Sequence, residues 1–489
     1  MILELSFLFL LLLLYLYVTD RKPSNMPPGP TEIPILGGMP VLDEKQAHPL
    51  REKYGDIVTV RTGAIRTVIL FDYKTSKEVM ARADMAGRPD IFKAFSIDEQ
   101  KTGGIALSEG PQWQHDRRFM LRNLRNLGMG KTYLEDAVHV EAEALVEDLK
   151  KYDQQPIAYP DSFRTAALNI IWQMTASRRY DLRSEEVKLI YEASKDLQSS
   201  SMALTMMPFF FPFLRKLPNI LQKIFFKQNL VDAFIEKMRA TITKTVDEHE
   251  EQLDLDNPRD LIDEYLKEMK EQEHDKETLY RKGALLQIVN DLFDAGSDTI
   301  NTTIKWVVYV LARYPQVTKK IQHEIDEVVP RDRMVSLQDK PNLPYVEAFI
   351  TEILRFSSLT GLNVEHTAMQ DTTIEGYFIP KGTVVVNSNY AIHFDPQYWD
   401  QPHNFSPERF IDEDGKFQAP KEGFFAFSSG RRQCPAETLA RMEVFLFATA
   451  IIQNLEILVP DGVQLSDDTH NLLGIRVPVS DTFIYKPRS

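Results

Sequence analysis

Apolar and polar positions follow three rhythms along this chain, and each change of rhythm marks a new element. From Ile2 to Val18 only Glu4 is charged. A helix over this run would be about 25 Å long at 1.5 Å per residue, just enough to cross a bilayer. It stops at Asp20, Arg21 and Lys22, and Pro23, Pro27, Pro28, Gly29 and Pro30 follow. So much proline cannot be helix and makes a stiff hinge. β-Branched runs at Ile57–Arg61 and Thr67–Phe71, separated by Gly63, predict a hairpin, and further small sheets are expected after Thr372.

Elsewhere the period is helical. The pattern predicts helices from Pro111, over Lys131–Lys150, Asp161–Ser177 and Asp232–Gln252, and over the proline-free stretch Thr278–Ala312. In that last stretch Leu285, Ile288, Leu292, Ala295, Thr299 and Thr303 recur on one face. Its length of about 50 Å would cross a whole domain. Periodicity fails between Ala83 and Gly110, where Phe92, Phe95 and Ile97 are scattered among Gly and polar residues. A loop of that length is often functional. Phe209, Phe210 and Phe211 stand between Pro208 and Pro212 and make a poor core helix. As an exposed patch they would meet a partner or a membrane; the alternative is that they pack inside. The sum is a mainly α fold with small β-sheets.

Composition adds bounds. With 43% hydrophobic and 26% charged residues, the 489-residue chain reads as one globular enzyme behind its apolar start. A net charge of −14 argues against a nucleic-acid partner. One cysteine allows no intrachain disulfide and fits a reducing compartment. The apolar run lacks an N-terminal positive charge and a small-residue cleavage site, so it reads as an uncleaved anchor rather than a signal peptide. Arg21 and Lys22 on its C-terminal flank place the body on the cytoplasmic side.

Candidate chemistry centres on Cys434, in F-S-S-G-R-R-Q-C-P-A-E-T-L-A-R, Phe427–Arg441. The cysteine sits where a loop gives way to a helical pattern, and helix-end N–H groups with Arg431 and Arg432 are expected to lower its pKa. A lone cysteine is otherwise a small buried hydrophobe. Trp113 and Arg117, four apart, share a helix face, while Arg118, Arg122 and Arg125 form a neighbouring basic stripe. In A-G-S-D-T, Ala295–Thr299, Gly296 weakens the helix and the Thr299 hydroxyl can bond back to the Ala295 carbonyl, opening a notch beside Asp298. Glu352 and Arg355 lie three apart on one helix, and Arg409 follows in P-E-R-F.

Phe427, Gly430, Arg432 and Cys434 match the F-x-x-G-x-R-x-C loop of the cytochrome P-450 family. With the hinge, W-x-x-x-R, A-G-S-D-T, E-x-x-R and P-E-R-F in family order, nearly the whole chain resembles an animal microsomal member, of the clan holding vertebrate drug and steroid hydroxylases and arthropod hormone enzymes. The resemblance implies a single helix-rich haem domain over 35–489, a hinge over 20–34 and a membrane anchor over 1–19. It implies haem b (iron protoporphyrin IX), with Cys434 as the iron ligand, Phe427 beside the sulfur and Gly430 in a tight bulge. Trp113, Arg117, His366 and Arg432 take the propionate-binding positions, Asp298 and Thr299 the proton-delivery positions, and Glu352, Arg355 and Arg409 a structural cluster. Phe209–Phe211 fall in a loop that dips into the bilayer. Phe92, Phe95, Phe293, Ala295, Leu359, Leu362 and Leu473 are pocket candidates. The usual Gly two places after the cysteine is Ala436 here, and altered packing rather than lost haem is expected.

The function so implied is a haem-thiolate monooxygenase that inserts one oxygen atom from O2 into a small lipophile, a steroid, terpenoid, fatty acid or xenobiotic, by hydroxylation or epoxidation. An arthropod terpenoid-hormone epoxidase is one narrower identity. Electrons would come from NADPH through a separate cytochrome reductase docking on the arginine stripe, with cytochrome b5 as a further donor, at the endoplasmic reticulum membrane. The rivals are an oxygen-independent haem-thiolate isomerase or dehydratase, which often lacks the acid and alcohol found here, and a non-catalytic haem-binding protein.

Overall fold

The computed structural model describes residues 22–38, 44–126, 132–199, 202–420, 422–472 and 474–488. The expected anchor and Leu473 lie outside them. Among the described residues no helix is long and apolar enough to cross a membrane. The proline-rich segment is pinned to the body where Thr59 N–H donates to the Pro28 carbonyl at 2.7 Å.

The predicted hairpin forms as β1 (Ile57–Thr62) and β2 (Ile65–Leu70), antiparallel in the register Ile57↔Leu70 to Thr62↔Ile65. Short strands β3 (Ile157–Ala158), β4 (His366–Thr367), β5 (Thr372–Ile374), β6 (Tyr377–Ile379) and β7 (Val384–Asn387) follow. The last are β8 (Leu455–Leu458), β9 (Thr469–Leu472), β10 (Ile475–Pro478) and β11 (Thr482–Pro487). The largest sheet has the order β1–β2–β7–β4, with β7 parallel to β2.

Helices make the bulk of the fold. They are α1 (Glu44–Tyr54), α2 (Tyr73–Ala81), α3 (Gly110–Asn126), α4 (Thr132–Lys150), α5 (Ser162–Ala176), α6 (Glu185–Ser199), α7 (Met202–Phe210) and α8 (Asn219–Phe226). There follow α9 (Gln228–Gln252), α10 (Leu261–Glu271), α11 (Lys282–Arg313), α12 (Pro315–Val328), α13 (Pro344–Ser357), α14 (Asn389–His393) and α15 (Glu437–Asn454). The 32-residue α11 runs through the core, where Ile288, Ile300, Ile304 and Val307 pack with Ile170 of α5 and Leu446 and Ile451 of α15. Its Gly296 has a tighter role than softening the helix. A β-carbon there would lie 2.8 Å from Ile171 Cγ2, so glycine is what lets α5 approach.

One expectation shifts. Phe209 and Phe211 are buried, not exposed. Phe209 stacks on Phe95 at 6.0 Å between ring centroids, with the Arg215 guanidinium 4.6 Å from its ring, because α7 carries it inward over the aperiodic Ala83–Gly110 segment. The exposed apolar residues come next, as Phe213 and then Ile220, Ile224 and Phe225 of α8. The Glu352 cluster, given a structural role above, is buried. Glu352 Oε2 accepts from Arg355 Nε at 2.7 Å, and Oε1 accepts from Arg355 Nη2, Arg409 Nε and Ser406 N at 2.8, 3.1 and 2.9 Å. Arg355 Nη1 also donates to the His393 carbonyl at 2.6 Å, tying α13 to α14.

Removing one partner of such a network leaves a buried charge uncompensated. Glu352→Ala is expected to cost about 3–5 kcal/mol, read as the drop in denaturant midpoint with an unchanged slope. At the start of α15, Ala436 adopts φ −103° and ψ 17°, where the backbone does not require glycine. Ala436→Gly is expected to change stability by no more than about 1 kcal/mol and to leave haem content unaltered in purified protein.

Candidate active site

The site lies between the middle of α11 and the loop leading into α15. On α11, Thr299 Oγ1 donates to the Ala295 carbonyl at 2.7 Å, as expected, and Thr303 Oγ1 repeats the bond to Thr299 O at 2.8 Å. Asp298 takes another direction. Its Oδ1 is held by Nε and Nη2 of Arg164 on α5, and that guanidinium lies 4.0 Å from the ring centroid of Tyr191 on α6. The acid and the alcohol are thus neighbours in sequence with different partners.

Between Thr299 and the cysteine loop lies a small cavity of about 50 Å³. Thr299, Ile300 and Thr303 form one wall, and Ala426, Phe427, Ala440 and Val444 another. Leu354, Leu359, Asn389 and His393 complete the lining. It is a largely apolar slot. Of the pocket candidates, Leu359 lines it. Ala295 is exposed one turn before Thr299, and Phe92 and Phe95 are half-buried. Phe293 is placed differently, edge-on against Trp172 at 5.2 Å in the core, and Leu362 packs with Val58, Ile69 and Phe71.

The loop is set by two left-handed residues, Ser428 at φ 61° and Gly430 at φ 74°. A β-carbon on Gly430 would lie 2.2 Å from the Met80 carbonyl oxygen and 2.6 Å from Ala81 Cα, so only glycine allows the loop to bed on α2. Cys434 N–H then donates to the Phe427 carbonyl at 3.0 Å, closing the turn two residues before the cap of α15. The Cys434 thiol is half-buried, and burial pushes its pKa up, partly offset by the Ala436 N–H. This corrects the expectation that Arg431 and Arg432 lower it. Arg431 is exposed, Arg432 turns away into the fold, and the cation that acts on the sulfur is Arg117. A bound metal ion would itself ionise the sulfur.

Arg432 is buried. Its Nε donates to Ala86 O at 2.9 Å, Nη2 to Ala86 O and Ser108 O at 2.7 Å each, and Nη1 to Ile105 O at 3.3 Å. That leaves one Nη1 hydrogen. Its guanidinium carbon sits 3.6 Å from the centroid of Trp113, whose buried Nε1 has no hydrogen-bond partner. Arg117 Nη2 donates to the Gln433 carbonyl at 2.6 Å. Arg88, absent from the sequence reading, joins them, with Nε on Ala106 O at 2.8 Å and Nη1 on Glu365 O at 2.7 Å. His366 is buried with Nδ1 2.7 Å from the Met85 carbonyl, so Nδ1 carries the proton.

These cations destabilise one another. Burial, then Arg88 and Arg117, lower Arg432 to about 8; burial lowers Arg88 to about 10; burial, then Arg88 and Arg432, lower His366 to about 3. Glu109 and Glu365 compensate only in part. A pair of carboxylates is what this cluster lacks, and an unpaired indole N–H waits beside it. Residues present therefore fit a porphyrin dianion at this end of the slot and a metal at the sulfur. Arg88 lies in the aperiodic segment, and the only hint was an arginine between Gly87 and Pro89.

The Cytochrome P450 family profile matches residues 27–482. Cytochrome P450 2L1 of Panulirus argus is 39% identical over 455 residues, 91% of this chain and 92% of its own length. Cytochrome P450 2E1 of Oryctolagus cuniculus is 35% identical over 477 residues, 95% of this chain and 94% of its own. Cytochrome P450 2C25 of Mesocricetus auratus is 35% identical over 442 residues, 88% of each. With the slot, the cationic cluster and the bedded cysteine in place, this chain belongs to the cytochrome P450 family, the monooxygenases that bind haem b.

Proposed function

We propose that the protein oxygenates a small lipophile, by hydroxylation or epoxidation, with electrons passed from NADPH by a flavoprotein reductase and cytochrome b5 as a further donor. The observation that carries this reading is the apolar slot, walled by Thr299 on one side and Phe427 on the other, with the cation cluster in the loop beyond. Cys434 would hold the iron, and Trp113, Arg117, His366, Arg432 and Arg88 would hold the propionates. When bound, the haem supplies oxygen activation, and thiolate ligation favours O–O cleavage.

The chain's own groups do the rest. The hydrogen of Thr299 Oγ1 is committed to Ala295 O, so its lone pairs accept a hydrogen bond from a donor in the slot and fix that donor's orientation. Asp298, half-buried and paired with Arg164, would take a proton from solvent and pass it on. The apolar lining excludes bulk water from the reacting end. Presence of both acid and alcohol favours oxygenation over the isomerase or dehydratase reading, and a non-catalytic haem carrier has no need of either.

Two surfaces complete the reading. Arg118, Arg125 and Arg431 are exposed and suit an acidic electron donor, whereas Arg122 is engaged by Glu268 at 2.6 Å. Ile33 and Leu36 are exposed, as are Phe213 and the α8 residues Ile220, Ile224 and Phe225. The hairpin tip joins the two groups, since Gly63 N–H donates to Leu36 O at 2.9 Å and Ala64 N–H to Phe210 O at 2.7 Å. This apolar face suits a body that rests on the endoplasmic reticulum membrane behind an anchor over 1–19 and a hinge over 20–34, with the domain over 35–489 facing the cytoplasm.

NADPH consumption and oxidised product, measured with added reductase, separate the three readings. Cys434→Ser is expected to abolish the red-shifted Soret band of the reduced carbon monoxide complex; a normal band in that variant would overturn the ligand assignment. Thr299→Ala is expected to keep the band while lowering product per NADPH several-fold.

A further inference from the structure

Ser428 is held in a conformation that its residue type disfavours. At φ 61° it lies in the left-handed region, where a residue with a β-carbon is strained unless its surroundings over-determine it. Gly430, two places on at φ 74°, meets the same demand by having no β-carbon. Ser428 needs a partner to hold it.

That partner is a buried amide from another part of the fold. Asn363 Nδ2 donates to Ser428 Oγ at 2.8 Å and to Asn387 Oδ1, at the end of β7, at 2.9 Å. Asn363 Oδ1 accepts from the Val364 N–H at 2.9 Å, and because a backbone N–H can only donate, this bond fixes which end of the amide is oxygen. The order then propagates. Asn387 Nδ2 donates to Asn389 Oδ1 at 2.6 Å, and Asn389 Nδ2 donates to Thr360 Oγ1 at 3.1 Å. The Asn363 N–H also donates to the Asn387 carbonyl at 3.0 Å, so backbone and side chain are tied to the same neighbour. All three amides are buried. Both Nδ2 hydrogens of Asn363 are committed, and turning the amide would leave buried polar atoms unpaired, which costs free energy.

The sulfur lies just beyond this clamp. The bond from the Cys434 N–H to the Phe427 carbonyl closes across Ser428, while the Ser428 N–H donates to the Phe425 carbonyl at 3.1 Å. A change of φ at Ser428 therefore moves the cysteine relative to the part of the loop that precedes it.

We propose that Asn363 is a positioning residue for the cysteine: it clamps Ser428 in its left-handed twist, doing for that position what the missing β-carbon does for Gly430, and so fixes where the sulfur sits. Asn387 and Asn389 lock the amide of the clamp. The inference rests on Cys434 being the iron ligand and is independent of substrate and electron donor.

The test reads three properties of the purified holoenzyme: persistence of the red-shifted carbon monoxide band on mild warming, the haem reduction potential, and the denaturant midpoint. Ser428→Ala removes only the hydroxyl; it is expected to speed loss of the band about fivefold or more, as an unsupported left-handed residue implies, and to shift the potential. Asn363→Leu should act in the same direction and also lower the midpoint. Ser428→Gly should keep wild-type values, since glycine takes positive φ unaided. In the double variant Asn363→Leu with Ser428→Gly, band persistence and potential should return to wild type while the midpoint stays as low as in Asn363→Leu, a split that a merely structural asparagine would not give. Wild-type persistence and potential in Ser428→Ala, or an effect of Asn363→Leu that Ser428→Gly leaves untouched, overturn the clamp. If Asn363→Leu fails to fold, the contrast between Ser428→Ala and Ser428→Gly decides alone. A wild type without the red-shifted band would sink the ligand assignment instead, a result distinct from a normal band that none of the variants moves.

Discussion

Gly430 lies against the last turn of α2 with no room for a β-carbon, and the geometry around the sulfur depends on that contact. Helix α2 is itself fixed, since Asp72 caps it through the Thr75 N–H at 2.8 Å and accepts from Tyr398 Oη at 3.0 Å. Bedding the loop there carries Arg432 inward to the carbonyls of Ala86, Ile105 and Ser108. One close backbone approach thus positions both the sulfur and the cation that organises the long aperiodic segment. That segment has little regular structure to hold it, so side-chain bonds to its carbonyls and N–H groups do the holding.

The two residues of the acid–alcohol pair are adjacent in sequence and separated in duty. A step of one residue turns a helix by about 100°, so Thr299 can line the slot while Asp298 reaches α5. Arg164 then links the acid to the Tyr191 ring on α6, and through it three helices share one polar seam above the apolar slot. Partly buried networks of this kind carry weight because each unmet partner is costly.

Where sequence periodicity was strong, the fold was legible. The long helix was expected over Thr278–Ala312 and is Lys282–Arg313, and the Thr299 bond to Ala295 follows from i to i−4 spacing alone. Local rules reach that far. They fail where a residue's partner is distant: Arg88 meets its carbonyls at Ala106 and Glu365, and Arg164 meets Asp298 across 134 positions. Phe209–Phe211 show another limit, since hydrophobicity says that a surface must be covered without saying by what. Phe95 from the aperiodic segment covers Phe209, and exposure passes to α8. Arg431 and Arg432 flank the cysteine in sequence, but loop twist sends one outward and the other away from the sulfur.

The crowd of Arg88, Arg117 and Arg432 bears on how the protein is made. A new polypeptide must gather three guanidiniums into a poorly hydrated corner before any dianion is there to balance them, and the depressed pKa values of Arg88 and Arg432 record that burden. Cofactor capture stabilises only the folded chain, so haem binding adds directly to its folding stability. A cell short of haem would then lose the polypeptide itself to turnover, not merely its activity, and abundance of this enzyme becomes a gauge of haem supply.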